Sequence, residues 1–336
     1  MVKQNVKTCI VGLGWWGDEL VNASKKVDGI EIESCFARTE STRNEFAKKH
    51  SCRPINSWEE VLNDPDIDAI FLATPHSTHA NMIIDAARAK KHILVEKPFV
   101  LNVSEGKIAL DACLTANVKL AVGHQRRFQP AHRKLKEWIV SGKLGTIVQA
   151  EANFSYGFAS TLTSDSWRSN PEESPAGAMT GLGIHQIDNL QYFLGPVKNV
   201  FSYSKSIQEN TSLEDVTTSL LEFESGSIGY LGSNMLTPKV FYARIYGTGG
   251  NAIAENEGSK ITLWDKDNTE FIEEFEISGD PVTSPLTDEI SDFAQSIIQD
   301  TIPEVDGIVG LRNSAVLEAI ILSSREKRIV TIEELF

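Results

Sequence analysis

The sequence predicts an α/β domain with a doubly wound parallel sheet, followed by an α+β domain built on a large, mostly antiparallel open sheet. Three observations carry this. Strand and helix patterns alternate from Val6 to about residue 124, the arrangement that builds a parallel sheet with helices on both faces. Glycines at the spacing Gly12-x-Gly14-x-x-Gly17 follow the first strand and open the first helix. Beyond residue 145 the period changes to alternating runs broken by Gly, Asn and Ser, which read as antiparallel strands. A length of 336 residues suits two domains, here 1–124 and 125–336, with the C-terminal helix a candidate to pack back on the first.

The elements follow in order. Val6–Val11 is mostly apolar, as a strand buried on both faces must be. Helical spacing runs from Asp18 to Val27. Ile30–Ala37 is a second strand, Asn44–His50 completes a helix and Trp58–Leu62 makes a short one. Asp68–Thr74 is a strongly apolar strand ending at Pro75-His76. Thr78–Lys90 is helical, His92–Val95 extended, Ser104–Ala116 helical behind a Ser104 cap, and Val118–Val122 extended. Helix Pro130–Ser141 and a turn at Gly142–Gly145 close this half. Ile147–Tyr156, Val200–Ser206, Asp215–Phe223, Ser227–Ser233 and Tyr242–Gly247 supply the second sheet, interrupted by one helix from about Gly183 to Phe193. Ile253–Glu257, Lys260–Asp265 and Thr269–Ile277 add short strands before the amphipathic helices Leu286–Gln299 and Leu311–Glu326.

The glycine spacing in this context is a dinucleotide-binding fingerprint of the Rossmann type. Gly12 permits the tight turn, Gly14 lets a pyrophosphate approach the backbone, and Gly17 lets helix and strand pack closely. The anion sits on the unpaired N–H groups of the helix start. In NAD-specific domains an acid about 20 residues further on holds the ribose 2′-hydroxyl. That place is Ala37, and Arg38, Thr39, Ser41 and Arg43 follow. A 2′-phosphate finds donors there and no carboxylate to repel it, so the pattern favours NADP(H) over NAD(H).

Composition narrows the partners. The net charge of −14 opposes nucleic acid and anionic membrane surfaces. The N-terminus shows no signal-peptide pattern, and no apolar run reads as a membrane span. Cys9, Cys35, Cys52 and Cys113 show no CxxC spacing, which fits thiols in a reducing cytoplasm. His76, His79, His185 and Asp188 match no metal-ligand spacing, so no metal is expected.

Two groups of residues invite chemistry. Lys97, between Glu96 and Pro98, stands at a parallel-strand end. It is either a donor that stabilises a substrate alkoxide or a surface lysine; a cis Lys97–Pro98 bond would suit a sharp turn. His185 and Asp188 share a helix face after a glycine-rich approach. His185 is either a general base or a core histidine, and Asp188 either assists it or forms a salt bridge. Trp167-Arg168 could hold a substrate oxygen or carboxylate, or anchor a loop. Trp15, Trp16, Phe128, Phe154, Tyr156, Phe158 and Trp167 add aromatic character that suits a flat or apolar ligand face.

Five stretches together resemble the glucose–fructose oxidoreductase, inositol dehydrogenase and rhizopine catabolism (Gfo/Idh/MocA) family: Gly12–Gly17, Ala73–His79, Glu96-Lys97-Pro98, Gly123–Phe128 and Gly183–Asp188. They run in the family's order over nearly the whole chain. The resemblance implies NAD(P)-dependent oxidation of a hydroxyl, or reduction of a carbonyl, on a sugar, cyclitol or cyclic diol. It implies a homodimer or homotetramer formed through the C-terminal sheet. Lys97 would contact substrate, His185 would take the hydroxyl proton while the nicotinamide C4 takes the hydride, and Asp188 would orient or hydrogen-bond nearby. The implied cofactor set is Gly12, Leu13, Gly14, Trp15, Trp16, Gly17, Ala37, Arg38, Thr39, Arg43, Thr74, Pro75, His76, His79, Glu96, Lys97, Gln125 and Arg126. The expected substrate set is Lys97, Arg126, Trp167, Arg168 and His185. One departure stands out: many relatives carry an aspartate four residues before the histidine, and this chain has Gly181. Redox-assisted lyase or glycosidase chemistry, and a non-catalytic NAD(P)- or sugar-sensing role, therefore stay open as alternatives.

Overall fold

The computed structural model describes residues 5–159, 162, 166–208 and 213–336. They divide into two units. Of the described residues, the first unit takes those within 5–100, 104–125 and 283–311, and the second those within 101–103, 126–282 and 312–336.

The first unit carries β1 (Val6–Val11), α1 (Trp15–Ser24), β2 (Ile30–Phe36), α2 (Glu40–His50), β3 (Arg53–Pro54), α3 (Trp58–Asn63), β4 (Ala69–Leu72), α4 (His79–Arg88), β5 (His92–Glu96), most of α5 (Val103–Ala116) and β6 (Leu120–Gly123). Its six strands are parallel in the order β3-β2-β1-β4-β5-β6. This is the doubly wound order, and its direction reverses between β1 and β4, where such sheets bind ligands beyond the strand ends. Every residue of β4 and all but one of β1 are buried, which explains their unbroken apolar runs. α1 begins at Trp15, three residues before the helical spacing expected from Asp18. Its first turn lies inside the glycine motif, leaving the N–H groups of that turn without intrahelical partners.

A late segment returns to this unit. Leu286, Ile290, Phe293 and Ala294 lie on a helix that joins the core formed by Ile10, Leu20 and Phe71. The Phe71 and Phe293 rings are 5.9 Å apart. Each large side chain buried this fully contributes roughly 1.5–3 kcal/mol. The expected boundary is thus corrected: residues 283–311, placed by sequence in the second domain, belong to the first unit.

The second unit contains α6 (Pro130–Val140), β7 (Ile147–Ser155), α7 (Ile184–Leu194), β8 (Val197–Lys205), β9 (Val216–Phe223), β10 (Ile228–Asn234), β11 (Val240–Gly247), β12 (Gly250–Glu255), β13 (Lys260–Asp265) and β14 (Glu270–Glu274). The helix that returns to the first unit is α8 (Leu286–Ile298); α9 (Gly307–Glu326) and β15 (Val330–Thr331) end the chain. The nine strands run β14-β13-β12-β11-β7-β10-β9-β8-β15. All neighbours are antiparallel except β7 and β10, which are parallel. Alternation along β9, β11 and β12 buries one face. Small residues there (Ala150, Ala152, Ala243, Ala252 and Ala254) pack with Leu135 and Trp138 of α6 and Ile187 and Leu190 of α7 in one core.

α9 corrects another expectation. By length and composition it could cross a membrane, but 67% of its most apolar window is buried inside the protein, where Val316, Leu317 and Ile320 join the second core. All four cysteines are unbridged.

Candidate active site

The first unit supplies a dinucleotide cradle. Gly12 has φ of +95°, and a Cβ there would collide with the Ala73 carbonyl oxygen. A Cβ at Gly17 would strike the Gly12 carbonyl oxygen, whereas one at Gly14 would have no heavy atom of the described residues within 4 Å. The two outer glycines are therefore demanded by packing, and the middle one leaves the approach that a pyrophosphate needs. Leu13 and Trp16 pack against the core below. Trp15 is exposed, with its ring centroid 5.1 Å from that of Trp16. These features fit a nicotinamide dinucleotide held by its pyrophosphate.

At the end of β2, Arg38 and Thr39 are exposed and Ala37 is half-buried. Arg43 is used differently from its neighbours. It is buried, and its guanidinium donates to the carbonyls of Ala37 at 2.8 Å and Arg38 at 3.1 Å. Its physical task is to shape the loop that presents Arg38.

Thr74, Pro75 and His76 are half-buried after β4. His79 is fully buried, and its two ring nitrogens lie 2.9 Å from the Pro98 carbonyl and 3.1 Å from the Thr74 carbonyl. It thus ties the end of β4 to the turn after β5. That turn holds Lys97, half-buried, and the Lys97–Pro98 peptide is cis. Glu96 is buried with its carboxylate across Gly123, where a Cβ would approach Oε1 to 2.7 Å. Gln125 is buried in the short turn after β6.

His185 lies in the second unit. A single π-turn, Met179–Gly183, leads into α7, a local widening that recurs at functional sites. His185 is buried, with its ring 6.1 Å from that of Phe154. Asp188, one turn on, is committed to a buried network. Arg127 grips both of its oxygens, with Nε at 3.0 Å from Oδ2, and Asn313 Nδ2 donates to Oδ1 at 2.8 Å. The Arg127 guanidinium also lies 4.8 Å over the Tyr192 ring. The carboxylate's charge is thus matched inside the protein.

Arg126 is also buried. Its guanidinium sits 4.4 Å from the ring centres of both Phe154 and Phe241 and pairs with Glu257. Burial pulls the Arg126 pKa down, against the pull of Glu257. Burial alone would raise that of Glu257, but Arg126 and Lys239 together hold it below the usual carboxylate value. His132, whose Nδ1 faces the Arg126 carbonyl at 2.8 Å, is driven down to about 4 by burial and is neutral at pH 7. In this structure Arg126 is spent on Glu257 and two aromatic rings rather than on an open binding surface. Arg168 stacks 4.4 Å over its neighbour Trp167.

Sequence reasoning missed the parts played by Arg127, Asn313 and Glu257. The adjacent arginines after β6 were the one visible signal; their partners lie far along the chain. Among the described residues, no group of three or more His, Cys, Asp or Glu is placed to hold a metal ion.

Comparison with known proteins places the chain in a family. Residues 6–124 match the model of the oxidoreductase family with an NAD-binding Rossmann fold, and residues 132–253 match that of the GFO/IDH/MocA C-terminal domain. The uncharacterized oxidoreductase YrbE of Bacillus subtilis is 30% identical over 282 residues, 81% of this chain and 79% of its own. The scyllo-inositol 2-dehydrogenase (NAD(+)) of the same organism is 30% identical over 74% of each chain. A crystal structure of an oxidoreductase from Desulfitobacterium hafniense is 31% identical, with a TM-score of 0.91 over 98% of this chain and 99% of its own.

Proposed function

The chain belongs to the Gfo/Idh/MocA family of NAD-binding oxidoreductases, and from that premise we propose that it is an NADP(H)-preferring dehydrogenase or reductase. Its substrate is a sugar, cyclitol or cyclic diol that presents a hydroxyl or carbonyl. The observation that carries the cofactor preference is the end of β2, where exposed Arg38 and Thr39 follow a residue that is not an acid. Relatives are named for NAD(+) and for NADP(+) alike, so the support for the preference comes from this chain's residues at the end of β2 alone.

A bound nicotinamide dinucleotide supplies the two-electron acceptor or donor. The chain does the rest. The first turn of α1 binds the pyrophosphate through its N–H groups. The Lys97 ammonium donates to the reacting oxygen and stabilises negative charge that develops there. His185 accepts the hydroxyl proton in oxidation and returns it in reduction. Arg127 and Asn313 hold Asp188, and with it the first turns of α7.

A panel of polyols and dihydrodiols, followed by the absorbance of the reduced nicotinamide, tests the reaction. Titration by fluorescence tests the cofactor: NADPH should bind about tenfold tighter than NADH, and Arg38→Ala should erase the difference, since one charge-assisted contact supplies roughly 1.5–3 kcal/mol. Tighter NADH binding overturns the preference. Product formed with only catalytic nicotinamide points instead to redox-assisted lyase or glycosidase chemistry.

The assembly is a further part of this reading. The uncovered face of the second sheet carries Phe201, Tyr203, Leu220, Ile228 and Tyr230, with Tyr203, Leu220 and Ile228 exposed. Such a patch supports a homodimer or homotetramer formed through this sheet. Sedimentation equilibrium should report an oligomer and Leu220→Lys a smaller species; a monomeric wild type refutes it. Four unbridged cysteines support a cytoplasmic setting.

A further inference from the structure

One residue sets the backbone beyond the end of β2. Arg43 Nη1 donates to the carbonyls of Ala37 at 2.8 Å and Arg38 at 3.1 Å, and the Arg43 backbone N–H donates to the Thr39 carbonyl at 3.1 Å. Three successive carbonyls are thus turned onto a single residue. Arg43 is itself fixed in place: Nη2 donates to Asn56 Oδ1 at 3.5 Å, and its own carbonyl accepts from the Cys35 thiol at 3.8 Å. It is 7% exposed, whereas Arg38, Thr39 and Glu40 are all exposed.

The direction of the carbonyls decides that of the amides. In a planar trans peptide the C=O and the N–H point opposite ways, and these peptides are trans. The Ala37 carbonyl shares its peptide with the N–H of Arg38, the Arg38 carbonyl with that of Thr39, and the Thr39 carbonyl with that of Glu40. All three carbonyls face a buried side chain or its backbone, so the three N–H groups face away from it, on an exposed loop. Successive N–H groups that face one way hold anions. Thr39, at the cap position of α2, makes no side-chain capping bond, so its hydroxyl is not spent on the helix. Glu40 is the acid of that first turn; its carboxylate lies in water, where its repulsion is screened.

We infer that Arg43 is the positioning residue for cofactor discrimination: by gathering the carbonyls of residues 37–39 it aims the N–H groups of Arg38, Thr39 and Glu40 at the 2′-phosphate of NADP(H), beside the Arg38 side chain. This rests on the NADP(H) preference proposed above. A loop anchor needs one carbonyl; gathering three in succession is what aligns three donors. The planar, forked guanidinium suits that task as a single point donor does not.

Amide hydrogen exchange on the full chain, saturated with NADPH or with NADH, reads the donors directly. NADPH should slow exchange at Arg38, Thr39 and Glu40 at least about fivefold more than NADH does. Fluorescence titration reads the consequence. Arg43→Met should cut the expected preference for NADPH from about tenfold to about twofold, with NADH affinity changed less than about twofold. Equal protection of the three amides by both cofactors overturns the inference, and this arm needs no variant to fold. So does an Arg43→Met protein that keeps the preference, or one that loses affinity for both cofactors alike, as a merely structural anchor would. In each of these cases a wild type that still prefers NADPH leaves the cofactor proposal standing. A wild type that binds NADH more tightly overturns that proposal and this inference with it.

Discussion

Replacing His185 by Asn should lower kcat by about 10²–10⁴-fold, the usual contribution of a positioned general acid–base. The imidazole is buried against Phe154 at the start of α7, and the π-turn ahead of it widens the helix there. Asparagine keeps a polar group of similar reach and cannot exchange a proton near neutral pH. NADPH binding should survive, because the cradle for the pyrophosphate is made by β1 and α1 of the other unit. Lys97→Met should give a loss of similar scale by removing the donor to the oxygen. Groups that act on one step are not additive, so the double variant should be little worse than either single one. Unchanged kcat in His185→Asn would return that residue to the status of a core histidine.

The legible parts of this protein are those whose determinants are close in sequence. Gly12, Gly14 and Gly17 fall within six residues, and the tight turn at Gly12 and the close packing at Gly17 are what their spacing predicts. The parallel sheet announces itself in β1 and β4 because strands buried on both faces need continuous apolar runs. Other features were settled by partners that no local pattern reveals. Arg43 reads as a phosphate ligand by position but is turned onto the carbonyls of Ala37 and Arg38. Arg126 reads as a ligand contact and is instead paired with Glu257, 131 residues away. α8 looks like any amphipathic helix, and its apolar face, with Phe293 at its centre, fits the first core rather than the second. The parallel pairing of β7 with β10 is equally hidden, since both strands alternate as antiparallel ones do. Position along the chain locates a residue, but its partner decides its task.

That distinction gives the last expectation its force. Asp188 sits one turn from His185 and invites a place in a proton relay, yet both of its oxygens are held by Arg127, and Asn313 donates to one of them. Arg127 and Asp188 are buried at 5% and 1% exposure, so removing one partner strands the other's charge away from water. Such a break costs about 3–5 kcal/mol, and Arg127→Met or Asp188→Leu should each lower the denaturation midpoint of the second unit accordingly. The double variant should recover most of that loss, because no charge is then left unmatched and apolar side chains fill the space. The isosteric Asp188→Asn separates the two roles. If Asp188 positions α7, Asn should lower stability through the stranded Arg127 cation and cut kcat modestly, with the pH profile unmoved. If it relays the proton, kcat should fall more than tenfold with the pH profile displaced, and the double variant should recover stability without recovering rate. The bidentate grip of Arg127 favours the first outcome: a carboxylate already bound on both oxygens by a permanent cation is a poor place to park a proton.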